Sequence, residues 1–322
     1  MAQTALPAAP ATLGQEPRAK PAKSLWSDAW RRLRRSRPAF VSALLIASLA
    51  VLAIVHPLVT EHGYAEQNYD VITQPPSREH LLGTDQLGRD ILSRLIFGAR
   101  ISLAVGLTVQ TVILLIGVPA GLVAGFYGGK IDMLLMRTVD VLYSLPSLLF
   151  VIVIMTFLRA KLQASQGGIT AAIGALDERT GGLIGVFIGL GLISWLTVAR
   201  LVRAQTMALK QKEFVEAARS LGATDRETML RHLLPNTVAV IVVTATLGIP
   251  LAILYEAGIS FLGLGATPPM PSWGLMISEA IPNLRAYPYM LVSPALALSA
   301  TVLAFNFLGD GLRDALDPWM RR

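Results

Sequence analysis

The chain has 322 residues, 53% hydrophobic and 15% charged, with a net charge of +7 and no cysteine. Soluble domains carry roughly 25% charged residues, so with a mean hydropathy of +0.55 the composition points to long apolar segments rather than one large soluble core. A disulfide framework and any thiolate metal site are excluded.

Residues 1–24 are rich in Ala and Pro and show no apolar periodicity, which predicts a disordered tail. The basic tail runs to residue 37, where Arg31, Arg32, Arg34, Arg35 and Arg37 crowd against the first apolar run, 39–59. A secretory signal peptide is the rival reading of that run. It is too long for the usual apolar core, and no small-residue cleavage pattern follows His56-Pro57. A retained spanning helix is therefore predicted.

The segment 81–100 follows. Gly83-Thr84-Asp85 reads as a turn in which Thr84 or Asp85 caps a helix, with Asp90 and Arg94 as i,i+4 neighbours on it. It fits a capped amphipathic segment on the outer surface, or an element that gates the outer mouth or touches a partner.

Five further segments reach the roughly 20 apolar residues that a bilayer crossing needs: 102–126, 133–158, 182–203, 237–264 and 289–308. The fold class is all-α, a polytopic membrane protein of about six helices. Gly117, Pro119, Pro146, Pro250 and Pro294 fall inside these segments, where neighbouring helices satisfy the freed backbone groups. The organisation is a disordered basic cytoplasmic tail (1–37), a first span with an external segment (38–101), a transmembrane core (102–308) and a cytoplasmic tail (309–322).

With the N-terminus inside, twenty of the 28 Lys and Arg residues fall on inner segments. This asymmetry predicts that both ends are cytoplasmic. It also accounts for the positive charge without nucleic acid. Gly125–Lys130 (GFYGGK) superficially suggests a phosphate-binding loop. The spacing is one residue short, and Ile131 stands where Ser or Thr would hold magnesium. A tight cytoplasmic turn is predicted instead, and any ATP hydrolysis falls to another chain.

The longest polar interruption of the second half is 210–235. Helix formers run from Glu213 to Leu221, and Gly222 stands where a left-handed turn would stop a helix. Thr224 to Glu227 has capping-box spacing, and Glu227 with Arg231 is a favourable i,i+4 pair. Pro235 is expected to end this second short helix before the fifth span. On spacing, the bent segment is either a rigid contact for a partner or an amphipathic element lying on anionic lipid.

Polar residues within spans are costly and mark pathways or partners. Asp140 follows Arg137 by three residues, so an internal ion pair is expected. Glu256, near the outer end of the fifth span, is a candidate gate or solute contact. Gln110 and Asn306 are candidate pathway residues, with interhelical hydrogen bonding as the alternative. His56, His62, His80 and His232 are scattered along the sequence, and no metal site or catalytic constellation is predicted.

The stretch EAARSLGATDRETMLRHLLP resembles the EAA loop of bacterial ATP-binding-cassette importer permeases. Glu216, Ala217, Ala218, Gly222, Leu234 and Pro235 fall on that pattern. His232 stands where the general pattern has Ile, and a His-X-Leu-Pro-Asn ending fits the peptide-transporter branch. LLGTDQLGRDILSRLIFGARISL, ISFLGLGATPPMPSWGLMI and GDGLRDALDP resemble segments of the C-type permease of the dipeptide, oligopeptide and nickel family. Together these cover most of residues 80 to 318.

The resemblance implies a type I importer permease fold in the bacterial inner membrane, and a transporter subunit rather than an enzyme. It implies a second related permease, two cytoplasmic ATPases that carry ATP and magnesium, and an extracytoplasmic binding protein. No cofactor is expected in this chain. The ATPase contact would comprise Phe214, Glu216, Ala217, Ala218, Leu221, Gly222, Leu234 and Pro235. The implied solute is a di- or oligopeptide, with nickel, glutathione or opines as alternative cargo. A membrane scaffold without a pathway is the rival from another class.

Overall fold

The computed structural model describes residues 25–164 and 167–316. The tail expected over 1–24 and the final residues 317–322 lie outside the described residues. Among the described residues every extended element is helical, and a single isolated bridge joins Thr84 and Asp90.

The basic segment before the first span forms a helix, α1 (Leu25–Arg35), where a disordered tail was expected. One apolar side chain explains the difference. Leu33 is buried against Gly311, near Ala39, while long arginine stems can cover apolar surface and keep their heads wet. Helix α2 (Arg37–Val59) starts at once, with Pro38 in its first turn, where the missing N–H has no intrahelical partner to lose.

Helix α3 (Ile91–Tyr127) joins the predicted amphipathic segment and the second span into one 37-residue helix. The cap is Asp90, which accepts from the Ser93 N–H at 2.7 Å, rather than Thr84 or Asp85. The helix stops where Gly128 and Gly129 both take positive φ. This is the predicted tight turn, and α4 (Gly129–Tyr143) follows directly.

The segment expected to cross as one helix over 133–158 is broken at Ser144–Pro146. Pro146 offers no N–H and disfavours helical backbone at Leu145. Helix α5 (Ser147–Ala164) makes that crossing, and a short α6 (Gly168–Arg179), not foreseen, leads back. Asp177 at its end accepts from the N–H of Ile184 at 2.9 Å, which caps α7 (Leu183–Lys210) from outside. Then come α8 (Glu213–Ser220), α9 (Asp225–Glu227), α10 (Leu234–Phe261), α11 (Trp273–Ala280) and α12 (Tyr289–Leu316). The tail expected from 309 is a continuation of α12 as far as Leu316.

Among the described residues six helices are long and apolar enough to cross a membrane: α2, α3, α5, α7, the α9–α10 unit and α12. Their centre is the α3–α7 pair. Gly117, Gly121 and Gly125 repeat every four residues on one face of α3. A Cβ on Gly121 would lie 2.5 Å from the Ala199 carbonyl oxygen, and one on Gly125 would lie 2.7 Å from that of Arg203. Small residues at this spacing let two backbones meet, and in lipid such packing is a main source of helix association. Val105, Val109, Val186, Leu190 and Val202 fill the rest of this seam.

Candidate functional site

Two polar constructions stand at opposite ends of α3. The first lies at its C-terminal end and is built from 210–235. On α8, Val215 and Ala218 are three residues apart and so share one face; both are buried. Phe214, Glu216 and Ala217 are exposed on the rest of the helix. The helix ends in a double hydrogen bond: the Gly222 N–H reaches the Arg219 carbonyl at 2.9 Å, and the Ala223 N–H reaches that of Ala218 at 3.1 Å. That pairing is the Schellman closure and requires a left-handed residue. Gly222 has φ +90°, and nothing lies within 4 Å of where its Cβ would be. The glycine is therefore needed for its backbone angle and not for space. Leu221, beside it, is 89% exposed.

Beyond the elbow the predicted capping box is present. The Thr224 hydroxyl accepts from the Glu227 N–H, and the Glu227 carboxylate accepts from the Thr224 N–H at 3.0 Å. Glu227 also pairs with Arg231. Pro235 does not end this helix. It lies in the first turn of α10, and Thr228–Leu233 just before it adopt wider π-type turns. A proline cannot donate back along the helix, and a wide turn absorbs the missing bond. The Asn236 and Thr237 side chains donate to the carbonyls of His232 and Leu233, at 2.6 and 2.9 Å. The elbow is thus continuous with a membrane-length helix. It also leans on the end of α3, where the Arg219 guanidinium and the Lys210 ammonium lie over the Phe126 ring at 4.9 and 5.5 Å.

Next to this end, α4 is pinned to α7 by three polar contacts in antiparallel order. Arg203 holds Asp132, Arg200 donates to Asp140 at 2.6 Å, and Tyr143 and Thr197 share a hydrogen bond at 2.9 Å. Asp140 therefore pairs with Arg200 across two helices and not with Arg137 as expected. Arg200 also stacks on Tyr143 at 4.4 Å, which draws it to that side. Above these pairs opens a cavity of about 430 Å³, lined by α3, α4, α5, α7 and α10. Its polar groups include Gln110, Tyr143, Thr197, Thr244 and Tyr255.

The candidate pathway residues separate. Gln110 lines the cavity, packs on Gly248, and leaves its Nε2 without a partner, so the interhelical bond considered for it is not made through that atom. Glu256 adjoins Tyr255 but points elsewhere, since successive helical residues diverge by about 100°. It is fully buried, and the Ser260 hydroxyl donates to it at 2.5 Å. It also meets Ser102 of α3 at 3.5 Å, the Ser260 hydroxyl accepts from the Ala266 N–H of the following loop at 3.1 Å, and Glu256 is not among the residues that line the cavity. Asn306 is half-buried on α12, outside the cavity lining.

The second construction, a cap, stands at the N-terminal end of α3. Arg89 and Arg94 both pair with Asp85 and with Glu279 of α11. The expected Asp90–Arg94 pair is replaced by this network, and Asp90 instead bonds His80 at 3.0 Å. Trp273 is fully buried and donates to the Leu95 carbonyl at 3.0 Å. The Tyr289 hydroxyl donates to the Thr73 carbonyl at 2.9 Å. The 60–100 stretch is thus folded onto α11 and α12 by these contacts, rather than standing as a separate capped amphipathic segment.

The family described as binding-protein-dependent transport system inner membrane component matches residues 117–322. The chain belongs to that family. The N-terminal transmembrane domain of oligopeptide transport permease C also matches residues 24–76. The permease is 40% identical to the oligopeptide transport system permease protein OppC of Bacillus subtilis, over 94% of this chain and 92% of that one. It is 39% identical to the dipeptide transport system permease protein DppC of Alkalihalophilus pseudofirmus, over 93% and 92%. It is 43% identical to the glutathione transport system permease protein GsiD of Escherichia coli O6:K15:H31, over 96% of each. The permease is a multi-pass protein of the bacterial inner membrane, and the family resemblance read from its motifs holds.

Of the eight residues marked for partner contact, the permease exposes Phe214, Glu216, Ala217, Leu221, Gly222 and Pro235. Ala218 and Leu234 turn inward and fasten the segment to the body. Sequence reading missed the Gly117-Gly121-Gly125 stripe, although its four-residue spacing was visible. It also missed Glu279, whose role depends on a contact 185 residues away.

Proposed function

We propose that this permease forms half of a translocation pathway for di- or oligopeptides, beside a second related permease, and that separate cytoplasmic ATPases drive it through the elbow at Gly222. The observation that carries this reading is the exposed edge Phe214, Glu216, Ala217 and Leu221 on a rigid, doubly capped bend fused to α10. A partner that pushes on this edge moves a spanning helix. The relatives are named for oligopeptides, dipeptides and glutathione, itself a tripeptide, so peptide chemistry is common to them.

Six crossings return the chain to its starting side, and the elbow lies on that side too. Twenty of the 28 Lys and Arg residues follow the same assignment, which makes that side the cytoplasm. The cap then faces outward, where a binding protein delivers solute. ATP and magnesium belong to the ATPase pair, whose closure biases two arrangements of the permease pair. Tyr143, Thr197 and Gln110 at the cavity offer donors and acceptors suited to peptide groups.

The test is Glu216→Arg in the assembled importer, reconstituted in vesicles. Its charge reversal sits on an exposed face, so insertion and folding stay intact. ATPase co-purification and peptide uptake should each fall at least about tenfold, a loss of roughly 1.4 kcal/mol at the contact. Normal recruitment with normal uptake would sink the proposal. Dipeptide, tetrapeptide and glutathione as competing solutes rank the cargo.

A further inference from the structure

The cap also holds a cluster of three side chains able to ligate a metal. His62 follows α2, and Glu79 and His80 precede α3; they are 17 and 18 residues apart in sequence. Folding brings one ligand atom of each within 4.8 Å of the others. The two imidazole rings lie 4.7 Å apart, centroid to centroid, at 33°. The Nε2 of His62 is buried and has no hydrogen-bond partner.

We propose that His62, Glu79 and His80 bind a divalent transition-metal ion of the zinc class, resident in the cap rather than carried as solute. The surroundings prepare His80 for this. Its ring is buried, and Nδ1–H donates to Asp90 at 3.0 Å. A carboxylate accepts and does not donate, so this bond fixes the tautomer and leaves Nε2 with its lone pair for an ion. A histidine oriented from behind by a carboxylate is a recurrent support for metal ligation. Asp90 is itself held, because its other oxygen caps α3 through the Ser93 N–H. Ser93 in turn donates its hydroxyl to the His62 carbonyl at 2.8 Å. One helix start therefore positions both histidines.

Glu79 is exposed and supplies the charge that two neutral imidazoles lack. Zinc–ligand bonds of about 2.0–2.1 Å place tetrahedral ligand atoms about 3.3 Å apart. The present spread of up to 4.8 Å closes to that with about 1.5 Å of movement, and Glu79 is exposed and free to move. Two imidazoles and one carboxylate suit zinc, nickel or copper and not magnesium or calcium. The fourth position is left to water. The ion ties the segment after α2 to the start of α3, and it relieves the unpaired His62 nitrogen.

The experiment uses the assembled importer with every affinity tag removed, and zinc ion alone as the probe. Zinc is counted by elemental analysis after equilibrium dialysis, and cobalt substitution reports the ligand geometry by visible absorption. One ion per permease is expected. His62→Ala and His80→Ala should each weaken binding at least about tenfold. Glu79→Gln is an exposed change that leaves folding intact, and it should also weaken binding about tenfold. Zinc should slow proteolysis of the 60–80 stretch in the wild type and not in Glu79→Gln. Equal zinc content in the wild type and in all three variants, with no change in proteolysis, would overturn the site. Peptide uptake is not the readout, so failure of the transport proposal leaves this result interpretable.

Discussion

The cap and the elbow stand at the two ends of α3 and are held by opposite means. The cap is fixed from far away: Arg94 reaches Glu279 over 185 residues, and Tyr289 reaches Thr73 over 216. Its ionic groups are largely buried and each serves several partners. The elbow is fixed from nearby: a Schellman closure, a capping box and an i,i+4 pair, all within about 20 residues. Its outer edge is exposed. The difference separates two tasks. The cap ties distant segments together at one end of α3, while the elbow is braced by its own neighbours and offers apolar and acidic groups on an exposed edge.

The largest effect should come from breaking the cap. In Arg94→Ala, Asp85 and Glu279 lose a shared cation in a region where Arg94 and Asp85 are buried. Removing one partner of a buried ion pair costs roughly 3–5 kcal/mol. The purified permease should melt well below the wild type in detergent, and protease should cut the 60–90 stretch first. Unchanged melting would mean that the cap does not depend on this network, and the contrast with the elbow would fail.

A smaller effect is expected from the helix that the two regions share. A methyl group at Gly121 meets the Ala199 carbonyl oxygen at 2.5 Å. Backbone cannot yield as a flexible side chain can, so α3 must shift against α7. Overpacking of this kind costs typically 1–3 kcal/mol. Gly121→Ala should lower the melting temperature less than Arg94→Ala does, and it should loosen both ends of α3 together by hydrogen exchange. Loosening at one end alone would show that α3 does not link them.

The same contrast explains what could be read from sequence. The elbow was legible because its bonds are local: Gly222, the Thr224–Glu227 box and the Glu227–Arg231 pair appear where spacing placed them. The spans were legible because apolar length is itself the signal. The break at Pro146 was signalled by the proline, yet the apolar run continues through it and outweighs it in a reading by composition. The cap was not legible. Asp85, Asp90 and Arg94 invite local pairing, and only the fold shows that Glu279 and His80 compete for them. The contacts of Glu256 were hidden for the same reason. Its carboxylate meets Ser102, 154 residues earlier, and Ser260.

The smallest effect on stability, and the sharpest test of the contrast, belongs to Leu221→Ala. Leu221 is 89% exposed, so truncation removes almost no contact within the chain. Surface changes of this kind stay within about ±0.5 kcal/mol, and the melting temperature should match the wild type. A leucine that is exposed here and buried against an ATPase stabilises the contact by roughly 1.5–3 kcal/mol. Each 1.4 kcal/mol is a factor of ten, so ATPase affinity should fall about tenfold or more in a pull-down titration, with uptake falling alongside. A drop in melting temperature would show that the elbow packs on the body more tightly than its exposure indicates. Unchanged stability with unchanged affinity would move the apolar anchor to Phe214, on the other side of Glu216, and make the double variant the deciding measurement.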